Sequence, residues 1–106
     1  PRIHTSEFDT LDSLCLQEMF DLAQRCMRIL KREYKNPGFN IGMNLGRLAG
    51  AGIPDHIHLH LIPRWLGDAN FFPVIANTKV VTDTPEICFS RLQPHFQELA
   101  KKLVYK

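Results

Sequence analysis

Apolar residues recur at Leu16, Met19, Phe20, Ala23, Met27, Leu30 and Tyr34, three or four apart with charged residues between them, and this spacing predicts an amphipathic helix over residues 12–34. Asp9, Thr10 and Asp12 are candidate N-caps, and Asn36, Pro37 and Gly38 stop the pattern. The period then changes to two. Phe39, Ile41 and Met43 alternate with Asn40, Gly42 and Asn44, the signature of a strand with one buried face and one polar face. Residues 45–55 contain Gly46, Gly50, Gly52 and Pro54 and are predicted to form a loop. Alternation returns over residues 56–62, with His56, His58 and His60 on one face and Ile57, Leu59 and Leu61 on the other, and Pro63 is expected to end it. Residues 63–77 read as a loop with an apolar patch over 71–75, and the β-branched run 78–82 adds at most one or two short strands. Thr84, Pro85 and Glu86 open a second helix, supplying a cap, a first-turn proline and an acid near the positive end of the dipole. Phe89, Leu92, Phe96, Leu99 and Leu103 continue it, and Pro94 predicts a kink over residues 90–94. Without repeats or linkers, the pattern is one α+β unit: helix, two or three antiparallel strands, helix.

Composition narrows the class of protein. At 106 residues the chain is a single small domain, and 44% hydrophobic with 23% charged residues is an ordinary globular balance. No apolar stretch reaches the roughly 18 residues that span a bilayer, and Pro1-Arg2-Ile3-His4 is not the start of a signal peptide, so a cytoplasmic protein with no membrane partner is expected. The net charge is +2, with no basic run beyond Lys31-Arg32 and Lys101-Lys102, which argues against general nucleic-acid binding while leaving room for a local anionic ligand. Cys15, Cys26 and Cys88 lack CxxC spacing and are expected to be ordinary thiols.

Three of the five histidines fall within five residues, and they admit three readings. A structural row would need a partner for every ring nitrogen. A metal site could take two imidazoles from an HxH pair with a third ligand from elsewhere. However, the three same-face histidines span about 13 Å at ~3.3 Å per residue, and nearby carboxylates are few, Asp55 and Asp68. Nucleophilic catalysis fits better. An imidazole has a reference pKa of about 6.5, so its neutral form is plentiful at neutral pH and can attack phosphorus. Attack needs one ring nitrogen as acceptor while the other is anchored as donor, commonly to a backbone carbonyl. The middle residue, His58, is the candidate nucleophile, with His60 placed for phosphate oxygens or the leaving oxygen and His56 supporting the ring orientation. Just upstream, Gly50, Ala51 and Gly52 are a candidate nest of backbone N–H groups for an anion.

At these residues the sequence resembles the histidine triad (HIT) superfamily, whose signature is His-φ-His-φ-His-φ-φ with φ apolar, and residues 56–62 match it at every position. The resemblance extends over residues 39–46 and 63–71, where it is most similar to the prokaryotic branch related to diadenosine tetraphosphate phosphorylases and hydrolases. It implies that His58 attacks the α-phosphate of a nucleotide or dinucleoside polyphosphate and holds a nucleotidyl-histidine intermediate. Water or inorganic phosphate then resolves that intermediate, with no cofactor and no metal. It further implies that Asn44 contacts ribose or phosphate, that His60 contacts the phosphate and leaving group, and that His56 buttresses the strand. Asn40 shares the strand face of Asn44 and joins it as a candidate contact. Where many HIT hydrolases place Gln and Ser or Thr, this chain has Gly52 and Ile53; Asp55 before the first histidine is acidic, as in the phosphorylase-like branch. Full HIT domains carry further strands ahead of this segment, so residues 1–106 are expected to be one HIT-like domain, incomplete at its N-terminus. HIT proteins are commonly homodimers, with residues 71–75 and the C-terminal helix as the expected interface here. Two other functions compete with the enzyme: a nucleotide-binding or interaction module that kept the motif without turnover, and a metal-binding domain.

Overall fold

The computed structural model describes residues 1–67 and 83–103. The 71–75 patch, the 78–82 run and Asp68 lie outside the described residues. The described elements are α1 (Ser13–Tyr34), β1 (Gly38–Gly42), β2 (His60–Arg64) and α2 (Pro85–Lys102), with 3-10 turns at Phe8–Thr10 and Arg47–Ala49. Helices and an antiparallel strand pair make an α+β fold, as the hydrophobic periods require. No described helix is long and apolar enough to cross a membrane.

Of the three candidate caps of α1, Asp12 does the work: its carboxylate accepts from the Cys15 N–H at 2.7 Å, satisfying one of the donors that a helix start leaves without a partner. The helix closes on Lys35, in the left-handed region at φ 50°, and the buried Asn36 amide donates to the Gly38 carbonyl at 2.6 Å, turning the chain into β1. Ala23 of the predicted stripe is buried and Leu16, Met19, Met27, Leu30 and Tyr34 are half-buried, so the apolar spacing located the inner face of α1; Phe20 at its edge is 46% exposed, and Ile29, outside the stripe, is buried as well. Thr84 caps α2 by accepting from the Ile87 N–H at 3.3 Å, and α2 runs on through Pro94.

The strand pair departs from expectation in four ways. β1 begins one residue early, at Gly38, and ends two residues early, at Gly42, so Met43 and Asn44 lie beyond the strand and Asn44 does not share a strand face with Asn40. β2 does not begin at His56: the ladder starts where Gly42 pairs with His60, because beyond Gly42 the chain leaves the strand and enters a loop whose Gly46 takes φ 83°, so residues 56–59 have no β1 backbone opposite them. Nor does Pro63 end β2, which continues to Arg64 with Pro63 opposite Phe39. Proline lacks only its N–H, and a ladder position whose nitrogen faces away from the partner strand does not need one.

Polar links join α2 to the end of α1. Glu33 Oε1 meets His95 Nε2 at 2.6 Å, and Arg32 donates to His95 Nδ1 at 2.7 Å, which makes Nδ1 the acceptor and Nε2 the N–H of that ring. Arg91 donates to the Glu33 carbonyl at 2.7 Å, satisfying a last-turn acceptor of α1, while it pairs with Asp83 at 2.8 Å and lies 4.4 Å above the Tyr34 ring. Tyr34 in turn meets Trp65 edge-on at 6.2 Å, which ties the helices to the end of β2. All three cysteines are free thiols, with Cys26 pushed up by burial.

Replacing Asp12 by Ala removes the α1 cap. We expect a loss of about 1 kcal/mol, which thermal unfolding followed by circular dichroism should register as a fall in Tm of roughly 4–8 °C. An unchanged Tm would mean that the cap is not holding α1.

Candidate active site

The triad residues are positioned by three different devices. His60 is in the ladder, opposite Gly42, and is exposed. His58 precedes the ladder, and its Nδ1 lies 3.2 Å from the His56 carbonyl oxygen. A carbonyl can only accept, so Nδ1 carries the hydrogen and the neutral ring presents Nε2 as its lone pair. His56 is half-buried and stacks on His4, with ring centroids 5.1 Å apart and planes 6° apart. Between them Ile57 is 4% exposed, and its N–H donates to the Thr5 carbonyl at 2.8 Å. The N-terminal segment thus takes, beside residues 56–57, the place that β1 does not fill. His58 and His60 are 4.7 Å apart, edge to face at 71°.

The glycine loop turns inward. Gly50 takes φ 87°, its N–H donates to the Arg47 carbonyl at 3.1 Å, and the Ala51 N–H donates to the Gly46 carbonyl at 3.2 Å. Two of the three nest amides are therefore spent inside the loop, a consequence of the 3-10 turn that residue spacing does not reveal. Asn44 Nδ2 reaches the Gly50 carbonyl at 3.5 Å and ties this loop to the chain just beyond β1. Gly52 and Asp55 are exposed. Asn40, across the ladder from Ile62, accepts a hydrogen bond from Arg64 Nη1. The structure brings His56, His58 and His60 together in sequence order, and holds Asn44 to the loop and Asn40 to Arg64.

Two participants escape the sequence patterns. His4 lies 52 positions from His56 and belongs to no periodic run, so nothing local marks it. Arg64 follows the signature, but its bond to Asn40 depends on strand register. An open groove of about 690 Å³ along α2, lined by Pro85, Cys88, Phe89, Leu92 and Phe96 among others, includes none of the predicted site residues.

An alternating histidine run that leads into an antiparallel strand pair, with a helix on either side in sequence, is the arrangement of a histidine triad protein. The HIT domain family model matches residues 1–65, and the chain belongs to that family. It is 40% identical over 81 residues to an AP-4-A phosphorylase of Mycobacterium tuberculosis, an alignment that takes in 76% of this chain and 42% of the relative. It is 36% identical over 70 residues to an uncharacterised HIT-like protein of Methanocaldococcus jannaschii, taking in 64% of this chain and 51% of that protein. The chain therefore spans about half the length of these curated relatives or less. Among solved structures, a zinc-bound histidine triad family protein from Mycobacterium smegmatis superposes with a TM-score of 0.67 at 26% identity, covering 97% of this chain and 69% of the other. A HIT family protein from Bacillus anthracis gives 0.59 at 24% identity, covering 98% and 70%, and supports the fold.

The His58 geometry fixes a tautomer. A long-range proton–nitrogen correlation spectrum at a pH where the ring is neutral should show His58 protonated at Nδ1 and bare at Nε2. Protonation at Nε2 would mean that the His56 carbonyl does not hold the ring.

Proposed function

We propose that this chain carries the reactive centre of an enzyme that splits dinucleoside polyphosphates through a nucleotidyl-histidine intermediate. The observation that carries the reading is the His58 ring, anchored through Nδ1 with Nε2 left as a lone pair beside His60. The 40% identity to a protein named AP-4-A phosphorylase supports the substrate class.

In the first step the Nε2 lone pair attacks the α-phosphorus. A P–N bond forms, the bridging P–O bond breaks, and its electron pair leaves on the terminal oxygen of the departing nucleotide. His60 is placed to hydrogen-bond that oxygen. The charge gained by the His58 ring is offset through the Nδ1–H bond to the His56 carbonyl, which persists through the step. In the second step an oxygen of inorganic phosphate, or of a water that gives up a proton to solvent, attacks the same phosphorus, the P–N bond breaks, and its electron pair restores the neutral ring. From diadenosine tetraphosphate the first step releases ATP; phosphate then yields ADP, and water yields AMP.

The zinc of the M. smegmatis neighbour raises a second reading. The described residues gather no three His, Cys, Asp or Glu side chains able to hold a metal ion, so no step here runs through one.

Incubation with diadenosine tetraphosphate decides among these readings. ADP and ATP in equal amounts, formed only with phosphate present, identify a phosphorylase, whereas AMP and ATP formed without it identify a hydrolase. His58→Ala should lower either rate at least 10³-fold. Turnover unaffected by that change, or abolished by chelation and restored by zinc, would sink the histidine mechanism.

A further inference from the structure

Across from the triad strand, the polar face of β1 alternates glycine with asparagine. Gly38, Asn40 and Gly42 stand opposite Arg64, Ile62 and His60, and all six share one face of the ladder. A methyl group built at Gly38 or Gly42 would meet nothing within 4 Å among the described residues. Among the described residues, His60 and Arg64 thus stand opposite bare backbone, and one β1 side chain, that of Asn40, crosses the lane between them. Ile62, at its floor, is 49% exposed.

Asn40 sets the position of the cation in this lane. Arg64 is four residues along the strand from His60, about 13 Å by backbone rise, but its guanidinium is drawn back to Asn40, which stands level with Ile62, about 7 Å from the level of His60. Two side chains anchored at levels spaced this way can hold successive phosphates of a chain. The guanidinium plane matches phosphate oxygens in pairs, which an ammonium does not.

We propose that this lane is the subsite for the phosphate chain of the leaving nucleotide, with Arg64 as the binding residue and Asn40 as the positioning residue that aims its guanidinium. The proposal rests on the dinucleoside polyphosphate reading and deepens it: the site selects substrates whose leaving group carries several phosphates. Gly42 belongs to the same device, because any side chain there would stand in the lane opposite His60.

Isothermal titration of the full chain with inorganic tripolyphosphate at low salt tests this without turnover. The wild-type chain should bind, with an affinity that falls as salt rises. Arg64→Ala should weaken binding at least 10-fold. Gly42→Val suits a strand, since β-branched residues fit it and the backbone there is not left-handed, and by filling the lane it should also weaken binding at least 10-fold. Asn40→Ala should cost a smaller factor, about 3-fold, by releasing the guanidinium. Arg47→Ala, which removes an exposed cation of the glycine loop, should change affinity less than 2-fold. No binding by the wild-type chain, unchanged affinity in Arg64→Ala or in Gly42→Val, or an equal loss in Arg47→Ala would each overturn the subsite. Turnover of diadenosine tetraphosphate by a chain that does not bind tripolyphosphate would sink the subsite alone, and tripolyphosphate binding with no turnover would sink the catalytic reading alone.

Discussion

The hydrogen bond from His58 Nδ1 to the His56 carbonyl is the constraint on which the proposed chemistry rests. It joins two members of the same run, so the backbone that spaces the histidines also selects the tautomer of the middle one. A rotating imidazole would share its proton between two nitrogens and present a lone pair in no fixed direction. Here the direction is set by residues 56–58, and those residues are held in turn by contacts from outside the ladder. His4 covers the His56 ring, and the Thr5 carbonyl takes the Ile57 N–H. Ile57, with 4% of its surface exposed, anchors this stretch as the most buried apolar residue among those described.

The triad strand is secured at its far end as well. Trp65 follows Arg64 and meets Tyr34 edge-on, and Arg91 from α2 lies over the same Tyr34 ring while satisfying the last-turn carbonyl of Glu33. This polar and aromatic bracket stands beside a small apolar core among the described residues. Ala23, Ile29 and Ile57 are the buried apolar residues among those described, and Leu48, Ile53 and Phe89 are exposed. In such a unit, caps and cross-links between elements carry a larger share of stability than they would beneath a full hydrophobic layer.

Elements governed by local period were readable from the sequence. The 3.6-residue spacing located α1 to within a residue, Thr84 and Pro85 marked the start of α2, and alternation found both strands. The misreadings occurred where a non-local partner decides the outcome. Alternation in residues 56–59 describes their backbone preference, but a ladder needs an opposing strand, and β1 stops at Gly42. Of the candidate site, the histidine run and Asn44 could be singled out from residue types and the family signature. The His4 stack, the inward-facing Gly50 and Ala51 amides and the grip of Asn40 on Arg64 arise from tertiary placement and leave no trace in spacing.

Family membership follows from the match over residues 1–65, while the roles proposed for His56, His58 and His60 rest on the anchored ring. Trapping the intermediate joins the two. The chain should be mixed with radiolabelled diadenosine tetraphosphate without phosphate, quenched in denaturant, digested and analysed by mass spectrometry. An adenylate should be found on the His58 imidazole, stable to alkali and released by mild acid as a phosphoramidate must be. An adenylate on another residue, or turnover without any covalent adenylate, would contradict the account.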